Sequence, residues 1–194
     1  MGPFDQLELR TARLRLRPLV PDDAEAVFAV FSDPEVTRYW STPAWTSVDT
    51  ALSMIEADRQ AMAAGCAIRL GLQPHDGDHV IGMGTLYDFM PQCRRAEIGY
   101  ALARANWGQG YMHEALTSLL DHGFAALNLN RVEADIDPRN LASARSLARL
   151  GFVREGVMRE RWIVGDEISD TAFYGLLRRD WMARPTPGSS EKKP

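Results

Sequence analysis

The chain has 194 residues, the length of one ordinary domain, and its 45% hydrophobic and 25% charged content excludes a disordered or fibrous protein. A net charge of −4 argues against a nucleic-acid binder that works by bulk positive charge. Two cysteines, Cys66 and Cys93, with no CxxC pair leave neither a disulfide framework nor a zinc ribbon.

Leu7 to Arg17 alternates apolar and charged residues, the period of a half-buried strand, and Pro18 and Pro21 stop it. Pro21-Asp22-Asp23 opens an apolar-periodic helix through Phe31 that Asp33-Pro34 ends. Thr46-Ser47-Val48-Asp49 resembles a capping box and starts a second helix, closed by Gly65. Two strands, Ala67–Leu72 and Val80–Phe89, flank the turn sequence Pro74-His75-Asp76-Gly77-Asp78. That turn also explains His75 and His79 without a metal, and no metal is expected. Ala96–Leu102 reads as a strand, Tyr111–Leu127 as a helix, Arg131–Ile136 as a short strand and Asn140–Leu150 as a helix capped by Gly151. Phe152–Val164 and Ile168–Leu177 form a terminal hairpin across Gly165-Asp166. The order predicts an α+β layer with helices covering a mainly antiparallel sheet.

Residues 1–6 read as an N-terminal extension, 7–182 as the domain and 183–194 as a disordered tail rich in Pro, Ser and Lys. Lys192 and Lys193 are the only lysines, so every other basic side chain is an arginine. Composition bias accounts for this, and so does a need for planar forks at phosphate or carboxylate sites. No run approaches the ~18 apolar residues of a membrane span. Met1–Gln6 lacks a charged region followed by an apolar core, so no signal peptide is expected there. A cytoplasmic protein without a membrane or nucleic-acid partner is expected.

Ala96 to Ala115 carries the chemistry. A strand runs into Trp107-Gly108-Gln109-Gly110-Tyr111-Met112 and a helix follows at once. Glycines there let the backbone approach a ligand, and the free N–H groups of the helix start favour a phosphate. Neither a P-loop nor a dinucleotide fingerprint fits, because no GK[ST] follows and the third glycine would fall at His113. Asn140 and Ser143 open the next helix and read first as caps. A hydroxyl at Ser143 is also placed to donate to a developing anion.

The ordered set Glu97-Ile98-Gly99-Tyr100-Ala101-Leu102, Trp107-Gly108-Gln109-Gly110-Tyr111 with Glu114-Ala115, Asn140-x-x-Ser143, Leu150-Gly151-Phe152, Glu155-Gly156 and Gly165-Asp166…Asp170 resembles the GNAT superfamily of acetyl-CoA-dependent N-acetyltransferases. The likeness is to its RimJ/RimL-type branch, which acetylates N-termini of ribosomal proteins, and it runs from about Leu7 to Trp181. It implies a GNAT fold, a mixed, mainly antiparallel twisted sheet of about seven strands flanked by about four helices. It further implies that the amides of Gly108, Gln109, Gly110, Tyr111 and Met112 hold the CoA pyrophosphate. The edge Tyr100-Ala101-Leu102 would pair with pantetheine, Asn140 would contact pantetheine or fix the backbone, and Ser143 would face the thioester sulfur. Arg145 and Arg149 are candidates for the CoA phosphates, or simply solvated. Three places depart from the family pattern: Trp107 opens the loop, Met112 crowds the helix start, and Leu147 stands where many relatives carry a general-acid Tyr.

The acceptor's α-amine has a pKa near ~8, so one carboxylate suffices as base. Glu97 is the candidate; the competing reading is a solvated side chain or a pair with Arg94 or Arg95. Ser143 would then stabilise or protonate the departing thiolate after direct transfer in a ternary complex. A covalent route through Cys93 lacks an activating neighbour. Tyr39, Trp40, Trp45 and Phe89 are candidates for the acceptor cleft. Residues 18–92 hold 11 acids and three bases, a net of −8 that would attract a cationic acceptor. The expected acceptor is a protein N-terminus; a small amine such as a polyamine, aminoglycoside or amino acid is the alternative, and a silent acyl-CoA sensor the rival. A homodimer is conceivable through the terminal hairpin near Trp162.

Overall fold

The computed structural model describes residues 2–184, so Lys192, Lys193 and most of the expected tail lie outside it. In chain order the elements are β1 (Leu9–Arg10), β2 (Leu14–Pro18), α1 (Ala24–Phe31), α2 (Pro34–Thr37), α3 (Val48–Ala63), β3 (Ile68–Pro74), β4 (Gly82–Met90), β5 (Arg95–Leu102), α4 (Tyr111–Ala125), β6 (Arg131–Ile136), α5 (Leu141–Arg149), β7 (Val153–Val164), β8 (Glu167–Leu177) and α6 (Arg178–Met182). The strands form one mixed sheet in the order β1-β2-β3-β4-β5-β6-β8-β7. Only β5 and β6 run parallel; every other neighbouring pair is antiparallel.

The eighth strand comes from a break in the first. The Thr11 amide donates to the Leu14 carbonyl (2.9 Å) and the Leu14 amide to the Thr11 hydroxyl (2.9 Å). That local turn folds Leu7–Arg17 into the short β1–β2 hairpin instead of one strand. Asp33-Pro34 both ends one helix and begins another: Ser32 closes α1, and the Asp33 carboxylate accepts from the Glu35 amide (2.9 Å) to cap α2. Ser47, not Thr46, caps α3, its hydroxyl accepting from the Asp49 amide at 3.1 Å.

The pleat sorts the two faces of the sheet. Arg69 of β3, Thr85 of β4 and Gly99 of β5 stand in one cross-strand row. Their face is covered by α3, whose Asp58 reaches Arg69 at 2.7 Å, and α1 packs on α3. One residue along, Gly84 and Tyr100 are partners on the opposite face. There α4 lies so close that a Cβ on Gly84 would meet Leu116 and Leu119. The core between is apolar, with Leu16, Leu70, Leu86, Leu119 and Phe124 fully buried.

One place in the sheet comes apart. β5 follows β4 as far as Leu102, and β6 follows β8 as far as Ile136. Between β5 and β6 the pairing stops after Glu97↔Glu133. Beyond it the strands splay, and the β6 side of residues 98–102 has no ladder partner. An unpaired strand edge inside a sheet is a place for another extended chain to bond.

Candidate active site

The splay opens into a cleft of about 680 Å³ lined from both faces: Tyr100, Asn140 and Ser143 on one side, and Phe31, Tyr39, Trp40, Trp45, Arg69, Thr85, Tyr87 and Asp135 on the other.

On the first side the strand leads into the glycine turn. Gly108 and Gly110 take φ of +74° and +81°, a left-handed conformation that glycine adopts without strain. Gly110 is the residue before α4, and the amides of Gly108, Gln109 and Gly110 donate to no main-chain carbonyl among the described residues. Those of Tyr111 and Met112 belong to the first turn of the helix and have no intrahelical acceptor. Five successive N–H groups without a main-chain acceptor thus lie at the positive end of a 15-residue helix. The turn is braced from the far end of the sheet. Arg13 donates from Nη1 to the Gln109 carbonyl (2.9 Å), lies 4.4 Å over the Tyr111 ring and pairs from Nε with the Glu114 carboxylate (2.7 Å). Thr11 also donates to Glu114, at 2.5 Å. Burial alone would raise the Glu114 carboxyl, but these bonds outweigh it and hold the group below the usual range.

Asn140 caps α5, its Oδ1 accepting from the Ser143 amide at 3.0 Å. The Ser143 hydroxyl lies 2.7 Å from the Tyr100 hydroxyl. Burial pushes the Tyr100 phenol up to about 12, so it keeps its proton throughout the working range of the protein. Leu147 is fully buried, one turn beyond Ser143 on the helix. Arg145 is exposed, with no ion pair among the described residues. Arg149 is exposed as well and close enough to Tyr100 to pull its pKa down.

On the second side Glu97 stands across the ladder from Tyr87. Burial raises its pKa, the Tyr87 phenol opposes that, and the nearby Asp135 and Asp88 carboxylates add to the rise. Neither Arg94 nor Arg95 pairs with it: Arg95 pairs with Glu133, and Arg94 reaches Asn128 at 3.5 Å. Glu97 does not itself line the cleft; its neighbours Tyr87 and Asp135 do. Asp135 has no cationic partner among the described residues, whereas Asp137 and Glu167 are both held by Arg139. Arg139 and Arg38 flank the Tyr39 ring at 5.7 and 5.5 Å, which fixes the mouth of the cleft.

A model of the acetyltransferase (GNAT) domain matches residues 13–153. The chain is a GNAT acetyltransferase. It is 37% identical over 173 residues to the uncharacterized N-acetyltransferase p20 of Bacillus licheniformis, covering 89% of this chain and 97% of that protein. It is 30% identical over 125 residues to the ribosomal protein uS5-alanine N-acetyltransferase of Escherichia coli (strain K12), covering 64% of this chain and 62% of that one. Among solved structures, Mycobacterium smegmatis RimJ in complex with CoA-disulfide superposes with a TM-score of 0.81 at 25% identity, over 91% of this chain and 90% of that one. An enzyme that uses acetyl-CoA needs donors for the cofactor's phosphates, and the chemistry of the unpartnered amides at the start of α4 suits an anion.

Two sequence-based expectations change in this acetyltransferase. None of the 11 acids within residues 18–92 lines the cleft; its carboxylates are Asp135, Asp137 and Glu167, matched by Arg38, Arg69 and Arg139. The acidic excess of the first half therefore does not surround the acceptor. Phe89 packs on Phe4 at 6.2 Å instead of lining the cleft, while Tyr39, Trp40 and Trp45 do line it. Cys93 is exposed in the short turn after β4, away from the cleft wall. Sequence reasoning missed the side chains of Tyr100, Asp135, Thr85 and Arg69. Tyr100 had been placed only as a backbone contact. The alternation of β5 against Glu97 would have put its ring on the Ser143 side.

Proposed function

We propose that this acetyltransferase transfers the acetyl group of acetyl-CoA to the α-amine of a protein N-terminus by direct attack in a ternary complex. The observation that carries the reading is the cleft through the β5–β6 splay: the Tyr100–Ser143 hydroxyl pair lines it from one face and the Asp135 carboxylate from the other, with Glu97 behind Tyr87 and Asp135. The E. coli relative, whose name assigns it an alanine of ribosomal protein uS5, supports the acceptor class.

The amides of Gly108, Gln109, Gly110, Tyr111 and Met112 hold the pyrophosphate, and Arg145 offers a guanidinium to a further phosphate. The open edge at Tyr100, Ala101 and Leu102 pairs with the pantetheine amides, and the free amide of the Asn140 side chain donates beside them. Asp135 draws the ammonium into the cleft, and Glu97, which stands behind Tyr87 and Asp135, takes its proton through a bridging water. The neutral nitrogen bonds to the thioester carbon, and the carbon–sulfur bond breaks. Ser143 gives its proton to the leaving sulfur and is reprotonated by the surplus proton that the newly bonded nitrogen sheds, relayed through water in the cleft. Tyr100 keeps its own proton and holds the serine oxygen by hydrogen bond. Main-chain N–H groups of the β5 edge meet the charge that develops on the carbonyl oxygen.

Thiol release from acetyl-CoA, measured against alanyl peptides, free amino acids, spermidine and an aminoglycoside, tests the acceptor. The highest kcat/KM is expected with the peptides. Turnover confined to spermidine or the aminoglycoside replaces this reading with a small-amine enzyme. CoA binding without thiol release toward any amine replaces it with a silent sensor.

The cradle has its own test. A side chain at Gly110 meets the left-handed φ, a strain of about 1–3 kcal/mol, and its Cβ would lie 3.4 Å from Arg13. Gly110→Val is expected to weaken CoA about tenfold or more by calorimetry. An unchanged dissociation constant would remove the turn from the binding site.

A further inference from the structure

The acceptor side of the cleft has a floor that the transfer chemistry above does not use. Arg69, Thr85 and Gly99 form one row across β3, β4 and β5. Thr85 is only 8% exposed, and its hydroxyl has no hydrogen-bond partner among the described residues. Arg69 lines the same floor. Its Nη1 is held 2.7 Å from Oδ1 of Asp58, and its Nε is buried without a partner. The Asp58 carboxylate has one oxygen without a partner as well. Gly99 stands beside Thr85 in the row, where a Cβ would sit 3.1 Å from the Thr85 methyl and crowd it. The next residue of the strand is Tyr100, whose hydroxyl meets Ser143.

Two donors of different strength, a hydroxyl and a guanidinium, thus stand side by side in the cleft that Tyr100 and Ser143 line from the other face. Both favour an oxygen acceptor, and the fixed cation disfavours a second ammonium. A buried donor without a partner gains most from a ligand atom that can accept, because nothing inside the protein competes for it.

We propose that Thr85 and Arg69 form a subsite for the oxygen of a carbonyl or carboxylate whose carbon is two bonds from the acceptor's nitrogen, so that the acceptor is an α-aminoacyl group and not a plain amine. The subsite rests on the proposed transfer to an amine in this cleft and narrows what that amine is attached to. A peptide N-terminus and a free amino acid share the required chemistry; a polyamine lacks it. Asp58 positions Arg69 from beneath and does not touch the acceptor.

The test compares alaninamide with isopropylamine, the same skeleton without the carbonyl, at equal concentrations of free base, together with an alanyl heptapeptide and alanine. Thr85→Val keeps the shape and removes the hydroxyl; Thr85→Ser restores it. With Thr85→Val, kcat/KM is expected to fall about tenfold for alaninamide and for the peptide. The loss for isopropylamine and the change in KM for acetyl-CoA stay within twofold, and Thr85→Ser recovers the loss. Equal losses for alaninamide and isopropylamine, or no loss for either, overturn the subsite. If the peptide is inert while alaninamide or alanine remains dependent on Thr85, the protein N-terminus falls as the acceptor and the subsite stands. A peptide turned over equally by wild type and Thr85→Val leaves the acceptor standing and removes the subsite. Binding of N-acetylalaninamide to the CoA-loaded protein, followed by NMR, needs no turnover. It is expected to weaken about tenfold in Thr85→Val, and unchanged or absent binding overturns the proposal.

Discussion

Replacing Glu97 by Gln is expected to lower kcat about a hundredfold, the usual scale of a positioned general base. The amide keeps the shape of the side chain and its place opposite Tyr87 but cannot take a proton. The accompanying change in pH dependence separates this role from simple damage. Burial, Asp135 and Asp88 together raise the Glu97 pKa in the folded protein. A raised pKa means that the active carboxylate form is lost as pH falls through a higher value than an exposed glutamate would show. Asp135→Asn removes one of the negative charges that cause the rise. The Glu97 pKa then drops, and the acid limb of the kcat profile at saturating acceptor moves to lower pH. Its plateau declines less than in Glu97→Gln. A profile measured from pH 5 to 9 decides the matter. Retention of more than a tenth of kcat in Glu97→Gln, or an acid limb that Asp135→Asn leaves in place, would falsify the assignment.

The second large effect belongs to the two hydroxyls. Ser143→Ala is expected to lower kcat about a hundredfold, and Tyr100→Phe about tenfold, with KM for acetyl-CoA within twofold in both. The double variant is expected to be no slower than Ser143→Ala alone, because the phenol acts only through the serine that lies 2.7 Å away. Groups that work in series lose their separate contributions together. Burial keeps the phenol protonated to about pH 12, so Tyr100 should impose no alkaline limb below that. Multiplicative losses in the double variant would mean that the two hydroxyls serve different steps. The family pattern puts a tyrosine on the helix, and here Leu147 fills that position in the core. The strand delivers a phenol to the same neighbourhood from the opposite direction.

The periodic segments were legible in the sequence because each buries one face: the alternation of β5, the helical spacing of α4 and the hairpin of β7 and β8 all stand where the pattern put them. What escaped depended on single hydrogen bonds or on register. The Thr11 hydroxyl breaks one apolar-charged alternation into two strands, and no periodicity records a side chain turning back on its own backbone. Asp33 looked like a terminator because a proline followed it, but the same pair also caps the next turn. At the site, the glycine turn was readable from residue types alone. The floor of the cleft was not, since Arg69, Thr85 and Gly99 become neighbours only through the pairing of three strands. Charge was the least transferable signal. A net of −8 within residues 18–92 says nothing about direction, and those side chains point elsewhere.

The alternation of β5 has a consequence for how such an enzyme can change over generations. In the proposed mechanism Gly99 lies on the acceptor's side of the cleft and Tyr100 on the side of acetyl-CoA, on a single strand. Both reactants are therefore measured against the same ruler, and alignment requires no closing motion. Residue exchanges on either side can retune one substrate while leaving its counterpart untouched. Insertion or deletion of one residue within β5 would instead interchange the two sets and point each at the wrong reactant. This strand can vary in spelling, but its length is held fixed.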